Sequence, residues 1–279
     1  MNKKTIKLLR DWVIPPAYQH IVRKMLFRRA LRPTARETTI LMRNARFRNM
    51  YAGRRCFVIG NGPSLNKQDL TPLANEITIV MNSFNRHPII EKWQPTFFCM
   101  AEPLETLTPE QIVLDLKNIA AQAHFFRIEH KERFDKHRFI DPDKVYYLKT
   151  SGVPRSDWPA SRQAIDLSQT IPGCQSTAHM AIMIALYLGC SPIYLIGLDH
   201  DWLAQPVVST HFYEGGPDFS MFSYKQMMEM MLNVWVIHEW IKDVASKQGV
   251  VIYNATDGGF LDVFERADYK SIIKATWNQ

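Results

Sequence analysis

The sequence contains no run of the roughly 18 uninterrupted apolar residues that a membrane-spanning helix requires. Its N-terminal apolar stretch is broken by Asp11 and by Pro15 and Pro16, with no small-residue cleavage site after it, so a signal peptide is not expected. Cysteine is scarce. Cys56, Cys99, Cys174 and Cys190 are far apart and form no C-x-x-C pair, which points to buried thiols in a reducing cytosol. Several catalytic signatures are missing as well. There is no G-x-S-x-G elbow, no His and Cys spacing of a zinc site, no Walker phosphate loop and no full G-x-G-x-x-G fingerprint. No internal repeat or low-complexity tract appears.

What is present begins with an uneven charge. The 279 residues carry a formal charge of +7, which divides into +13 for residues 1–55 and −6 for the rest. Fifteen Lys and Arg residues in that first segment face only Asp11 and Glu37. Ile6, Leu8, Leu9, Trp12, Val13 and Ile14, then Ile21, Val22, Met25, Leu26 and Phe27, interleave with the basic residues at roughly helical spacing. A basic amphipathic extension over residues 1–52 suits an anionic membrane surface. The alternative is a helix packed on the body or on a second copy in a homo-oligomer. Nucleic acid is not expected as a partner, since no known binding module or repeated aromatic platform accompanies the charge.

From residue 53 onward, strand-like and helix-like segments alternate. The strand candidates are 55–59, 77–81, 96–100, 123–127, 144–148, 192–196 and 250–253; the helix candidates are 65–74, 84–92, 109–121, 176–188, 223–247 and 262–274. Continuous apolar strands separated by helices predict an α/β fold, a Rossmann-like and mainly parallel sheet with helices on both faces, over residues 53–279. With 46% hydrophobic residues over its 279 positions, the chain can bury a sizeable core. Residues 149–175 read as a long loop, and 199–222 as a lid-like loop at a strand end.

Polar groups gather where such a sheet binds ligands, beyond the carboxyl ends of its strands. Cys56 to Ile59 breaks into Gly60, Asn61, Gly62, Pro63 and Ser64 before a helical pattern begins at Leu65. The glycines allow close backbone approach, and Ser64 is a candidate helix cap next to free N–H groups. Asn82 follows the second strand, as a base or ribose contact or as the start of an Asx turn. Glu102 follows the third strand, as a ligand for a ribose hydroxyl or metal, or as a solvated loop charge. Gln175, Ser176 and Thr177 open an apolar helix whose N-terminus could hold a phosphate or carboxylate, or Ser176 is only its cap. The run from Ile193 to Gly197 ends in Asp199, His200 and Asp201, with His211 and Tyr213 ten residues further on. His211 can take a proton near neutral pH. Asp199 and Asp201, with Glu102, could instead form an oxygen site for Mg²⁺.

These segments, in this order, resemble one superfamily over about residues 53–265, including Tyr253 to Gly259. It joins the bacterial CMP-sialic acid sialyltransferases with a Rossmann-like domain, the motility accessory factor flagellin glycosyltransferases, and the hydroxymethylpterin pyrophosphokinase-like proteins of the domain of unknown function 115 group. The resemblance implies that Gly60 to Ser64 and Asn82 line a nucleotide pocket, with Ser176 near the phosphate or sugar carboxylate. In the sialyltransferase branch a His is the general base and Tyr hydroxyls support the leaving phosphate, without a metal. His211 and Tyr213 are the best-placed candidates for those roles; Asp199 is a third catalytic candidate, and Gly197 and Asp201 are candidate substrate-binding residues. The sequence departs from that branch at Glu102, where the sialyltransferases carry Asn, and at His200 and Asp201, where an aromatic pair ending in Tyr is usual. An acidic residue at 102 is closer to the other two branches.

The expectation is an inverting, metal-independent glycosyltransferase using a CMP-activated nonulosonic or related acidic sugar. Its acceptor would be a glycan or lipid-linked molecule, on the cytoplasmic side of the inner membrane. A Mg²⁺-dependent pyrophosphokinase of the hydroxymethylpterin type is the alternative, and a membrane-surface assembly protein without turnover is a third reading.

Overall fold

A computed structural model of the chain describes residues 32–101, 108–116, 118–151, 165–203, 211–213 and 222–274. Residues 1–31 of the basic extension, Glu102, and positions 204–210 and 214–221 of the lid-like loop lie outside them.

Among the described residues nine strands form one sheet in which every pairing is parallel. They are β1 (Cys56–Ile59), β2 (Ile77–Met81), β3 (Phe97–Met100), β4 (Ala123–Arg127), β5 (Val145–Thr150), β6 (Thr170–Ile171), β7 (Ile193–Ile196), β8 (Ile252–Asn254) and β9 (Glu265–Arg266). Their spatial order is β6-β5-β4-β3-β2-β1-β7-β8-β9. The chain thus moves outward from β1 to β6, then returns to lay β7 on the other side of β1. That reversal creates a switch point between β1 and β7, where loops diverge to opposite faces and leave a crevice.

Both faces of the central strands are covered. Cys56 and Val58 point into one layer of the core, while Phe57 and Ile59 point into the other. The first face carries α4 (Thr177–Tyr187), all eleven residues of which are buried, with α5 (Tyr224–Lys247) packed on it through Ile237, Trp240 and Ile241. A helix apolar on every side belongs between a sheet and a second helix.

The second face is covered by 3₁₀ turns at Pro63–Lys67, Thr71–Asn75, Asn82–Arg86 and Pro88–Glu91. Short helices α2 (Pro109–Leu116), α3 (Lys131–His137) and α6 (Tyr269–Lys274) complete it. The segments 65–74 and 84–92 are therefore not α-helices. Pro63, Pro72 and Pro88 each sit in the first turn of a new piece, because a proline lacks the N–H donor and clashes with the preceding turn of a continuous helix.

The described part of the basic extension is built into the body. Thr34 and Glu37 form a capping box at the start of α1 (Ala35–Met42). Buried Asn44 donates its amide to the carbonyls of Tyr147 (2.8 Å) and Leu167 (2.7 Å). Phe47 meets Phe125 and Tyr146 edge-on at 5.2 and 4.7 Å between ring centroids. Arg48 pairs with Asp166, Arg55 with Glu76, and Lys149 with Glu37. Part of the excess positive charge is therefore spent on intramolecular pairs. Among the described residues no helix is long and apolar enough to cross a membrane.

Candidate active site

The loop after β1 is fastened to the loop after β7. The Gly60 N–H donates to the Ile196 carbonyl at 2.8 Å and the Gly62 N–H to the Gly197 carbonyl at 2.9 Å. Asp199 completes the clasp. Its Oδ1 accepts the Ser64 N–H at 3.1 Å and its Oδ2 accepts the Ser64 hydroxyl at 2.8 Å. A Cβ at position 62 would run into that carboxylate, and one at Gly197, where φ is +67°, would run into Leu65. These two glycines are required by close approach and by backbone conformation.

The clasp corrects one expectation. Ser64 is not a cap with free N–H groups beside it: Gly62 is the N-cap of the 3₁₀ turn, and the Ser64 donors already hold a carboxylate. The chain's own Asp199 takes the anion position at that turn. Burial raises the Asp199 pKa, the Ser64 hydrogen bonds oppose this, and nearby Asp201, half-buried, raises it further.

The 211–213 segment lies on the same rim. The Phe212 N–H donates to the Asn61 carbonyl at 2.9 Å, which places His211 and Tyr213 beside the β1 loop. The Phe212 ring packs against His87 (5.0 Å) and Phe84 (6.4 Å) in the connection after β2. His211 and Tyr213 have ring centroids 5.1 Å apart, and the Arg86 guanidinium lies 4.7 Å from the Tyr213 ring centroid. Burial pushes the His211 pKa down to about 4, and the Arg86 charge adds to the effect. The imidazole is therefore neutral at pH 7, as a proton acceptor must be.

Asn61 itself is 6% exposed and donates its amide to the Met81 carbonyl at 3.1 Å, tying the β1 and β2 loops together. Its Oδ1 is buried and has no hydrogen-bond partner among the described residues. A buried acceptor of this kind is what a ligand N–H or hydroxyl would satisfy. Asn82 opens the next turn in the left-handed region, at φ +48°.

On the other side of the rim, Ser176 is the N-cap of α4 and Thr177 its first residue, with Gln175 exposed before them. The N–H groups of Gln175 and Ser176 both donate to Nδ1 of His179 at 3.2 Å. His179 stacks edge-on against His238 at 4.3 Å, and His238 Nε2 is 3.0 Å from His200 Nε2. Burial holds all three imidazoles low, His179 to about 3 and His200 to about 4. They are neutral hydrogen-bonding groups that join α4, α5 and the 199–201 loop.

The structure thus separates the sequence candidates into two groups around Asp199. Gly60 to Ser64, Asn82, His211 and Tyr213 lie towards the second face. Gln175, Ser176 and Thr177 lie towards the first, connected to the Asp199 loop through the histidines. Sequence reasoning missed Arg86, His179 and His238. The position of His179, three residues after a Ser at a helix start, was a usable signal, because residue N3 can reach back to the cap. Arg86 had none. Among the described residues no three His, Cys, Asp or Glu side chains form a metal-holding group. Two cavities lie away from this rim. One of about 360 Å³ sits at the amino ends of β2 and β3, lined by Tyr51, Arg54, Glu76 and Thr96, and the other is between α2 and the end of α3.

The family model described as 6-hydroxymethylpterin diphosphokinase MptE-like matches residues 35–205. The chain belongs to the MptE-like family. The matched span runs from α1 through β7 and includes the Asp199 clasp and α4, while His211 and Tyr213 lie beyond it. A search of curated proteins finds no match. Among solved structures, the MAf glycosyltransferase from Magnetospirillum magneticum AMB-1 is similar over 86% of this chain, with 15% identity and a TM-score of 0.45. The MptE-like chain spans 40% of that protein's length. A structure of the sialyltransferase CST-II in complex with CMP is 14% identical, with a TM-score of 0.45, over 76% of this chain and 86% of that one. A mammalian sialyltransferase in complex with Gal-beta-1-3GalNAc-ortho-nitrophenol gives 15% identity and a TM-score of 0.37, over 75% of this chain and 70% of that one.

Proposed function

We propose that this MptE-like chain is a glycosyltransferase that moves an acidic sugar from a CMP-activated donor to a surface-polysaccharide or glycoconjugate acceptor. His211 would take the proton of the acceptor hydroxyl as that oxygen bonds to the anomeric carbon. The bond from the anomeric carbon to the phosphate oxygen breaks on the opposite face, and CMP leaves. The observation carrying this reading is the Phe212 N–H on the Asn61 main-chain carbonyl, which joins the segment of the neutral His211 to the residue whose buried side-chain oxygen is unsatisfied. Asn61 Oδ1 would accept from a hydroxyl or amine of the donor. Tyr213 and the N-terminus of α4 would stabilise the charge that develops on the departing phosphate. The basic residues of 1–31 would hold the enzyme at an anionic membrane surface near a lipid-linked acceptor, as a peripheral protein of the cytoplasmic face.

A thermal-shift panel of CMP, UDP, GDP and ATP, with and without Mg²⁺, tests the donor class. A ligand at a hundredfold excess over its dissociation constant stabilises the fold by about 2.7 kcal/mol. A rise in Tm with CMP alone is expected; no response to CMP contradicts the reading.

The second reading follows the name of the family, a diphosphokinase. It is favoured by the buried, raised carboxylate of Asp199 beside Asp201, a pair that a divalent cation would relieve. Asp199 and Asp201, with Glu102, would hold Mg²⁺, whose charge would offset that of the ATP phosphates. Asp199 would have to share its oxygens with Ser64. In the same panel ATP with Mg²⁺ would then give the shift, and chelation would abolish it.

A further inference from the structure

We propose that Arg86 is a positioning residue of the candidate site, clamping the 211–213 segment onto the turn after β2 by stacking its guanidinium on the ring of Tyr213. The proposal rests on the reading of His211 as a base only for its consequence for catalysis; the clamp itself is a matter of geometry.

Several contacts, among them the Asn66 amide donating to the Phe212 carbonyl at 3.5 Å, hold the 211–213 segment in place. Its centre is pinned by the Phe212 N–H on the Asn61 carbonyl and by the Phe212 ring against Phe84 and His87. Its far side is pinned by Arg86, 4.7 Å from the Tyr213 ring centroid. Arg86 is in turn oriented from behind. Asp115 on α2 lies 3.9 Å from the guanidinium, and the Ser83 hydroxyl fixes that carboxylate at 3.0 Å. Asp115 is 8% exposed, so the chain from Ser83 through Asp115 and Arg86 to Tyr213 runs from a buried anchor to the rim.

A guanidinium suits this role better than an ammonium. Its plane can lie on an aromatic ring while its edge keeps donors for a carboxylate. Its fixed charge has a second effect. The charged and titratable groups near His211 include Arg86 and Tyr213, with His87 behind Phe212 and Asp115 behind Arg86. Arg86 is the permanent cation of this set, and a cation beside an imidazole disfavours its protonated form. Arg86 therefore orients the segment and adds to the effect of burial, the larger cause, in disfavouring the His211 cation.

The test measures hydrogen–deuterium exchange at residues 211–213 and the NMR titration of His211, assigned by comparison with His211→Gln. The variants are Arg86→Gln, Arg86→Lys and Tyr213→Leu. Loss of a stacked cation in Arg86→Gln or Tyr213→Leu should speed exchange of the Phe212 amide roughly two- to fivefold. Combining the two substitutions should add nothing further. The His211 midpoint should move to higher pH in Arg86→Gln and stay in place in Arg86→Lys, which keeps the charge. Unchanged exchange in both single variants overturns the clamp, and so does a combined effect equal to the sum of the two. A His211 midpoint that does not respond to Arg86→Gln overturns the electrostatic half. Full transfer activity in His211→Gln would remove the base assignment while leaving the exchange and titration results to decide Arg86.

Discussion

The two faces of the sheet are built in different ways. The first is covered by α4, buried along all eleven residues, and by the 24-residue α5. The second is covered by four 3₁₀ turns and short helices. The first face contributes α4's N-terminus to the rim and locks it with three buried imidazoles. The second brings Asn61, Asn82, Arg86 and the 211–213 segment, polar groups carried on turns. A continuous helix presents a fixed surface, whereas short turns expose successive backbone and side-chain groups at a strand end. On the proposed function, this difference leaves scaffold work to the first face and chemistry to the second.

The comparison can be broken by substitution. The largest loss is expected for Ile182→Ala in α4, where a fully buried side chain leaves a cavity costing about 4 kcal/mol. Urea denaturation measures it, and the folded fraction should bind nucleotide as before. Gly62→Ala should cost about 3 kcal/mol, because the new methyl drives Asp199 away from Ser64 and strands a buried carboxylate. Here the ligand-induced rise in Tm should disappear with the clasp, which separates a rim lesion from a core lesion.

Acid sharpens the contrast. His179, His200 and His238 have folded pKa values below the ordinary 6.5 because burial disfavours the cation. The unfolded chain therefore binds protons first. Stability is full above 6.5 and is lost as pH falls toward about 4, where folded His200 itself begins to titrate. Each imidazole contributes a slope of about 1.4 kcal/mol per pH unit within that window. Tm measured from pH 7 to 5 should fall less steeply in His238→Phe than in the native chain. The smallest effect is expected far from the rim, where Thr34→Ala removes the α1 cap at a cost of about 1 kcal/mol.

The first face was also the more legible in the sequence. Apolar runs rich in Ile, Val and Phe located β1 to β5, β7 and β8 within a residue or two, and the uniform apolarity of 177–187 marked a central helix. The two-residue strands β6 and β9 carry too few side chains to show a period. In α3 only Phe134 is buried, so the segment has no apolar stripe to read. The 3₁₀ turns were misread as helices although Pro72 and Pro88 stood inside the helical pattern. At the candidate site, the strand-end position of each loop was legible because an apolar strand run ends where the loop begins. The partners were not: the Asp199 clasp on Ser64 joins residues 135 positions apart, and Arg86 reaches Tyr213 only in the folded chain.

The most direct test of the proposed transfer site is the rate of CMP release from CMP-N-acetylneuraminic acid in the presence of EDTA, measured for the native chain and for His211→Gln. The account predicts turnover by the native chain that chelation leaves unchanged, and a loss of roughly 10²–10⁴-fold in the variant. Equal rates for the two proteins, or native activity abolished by EDTA and restored by Mg²⁺, would contradict it.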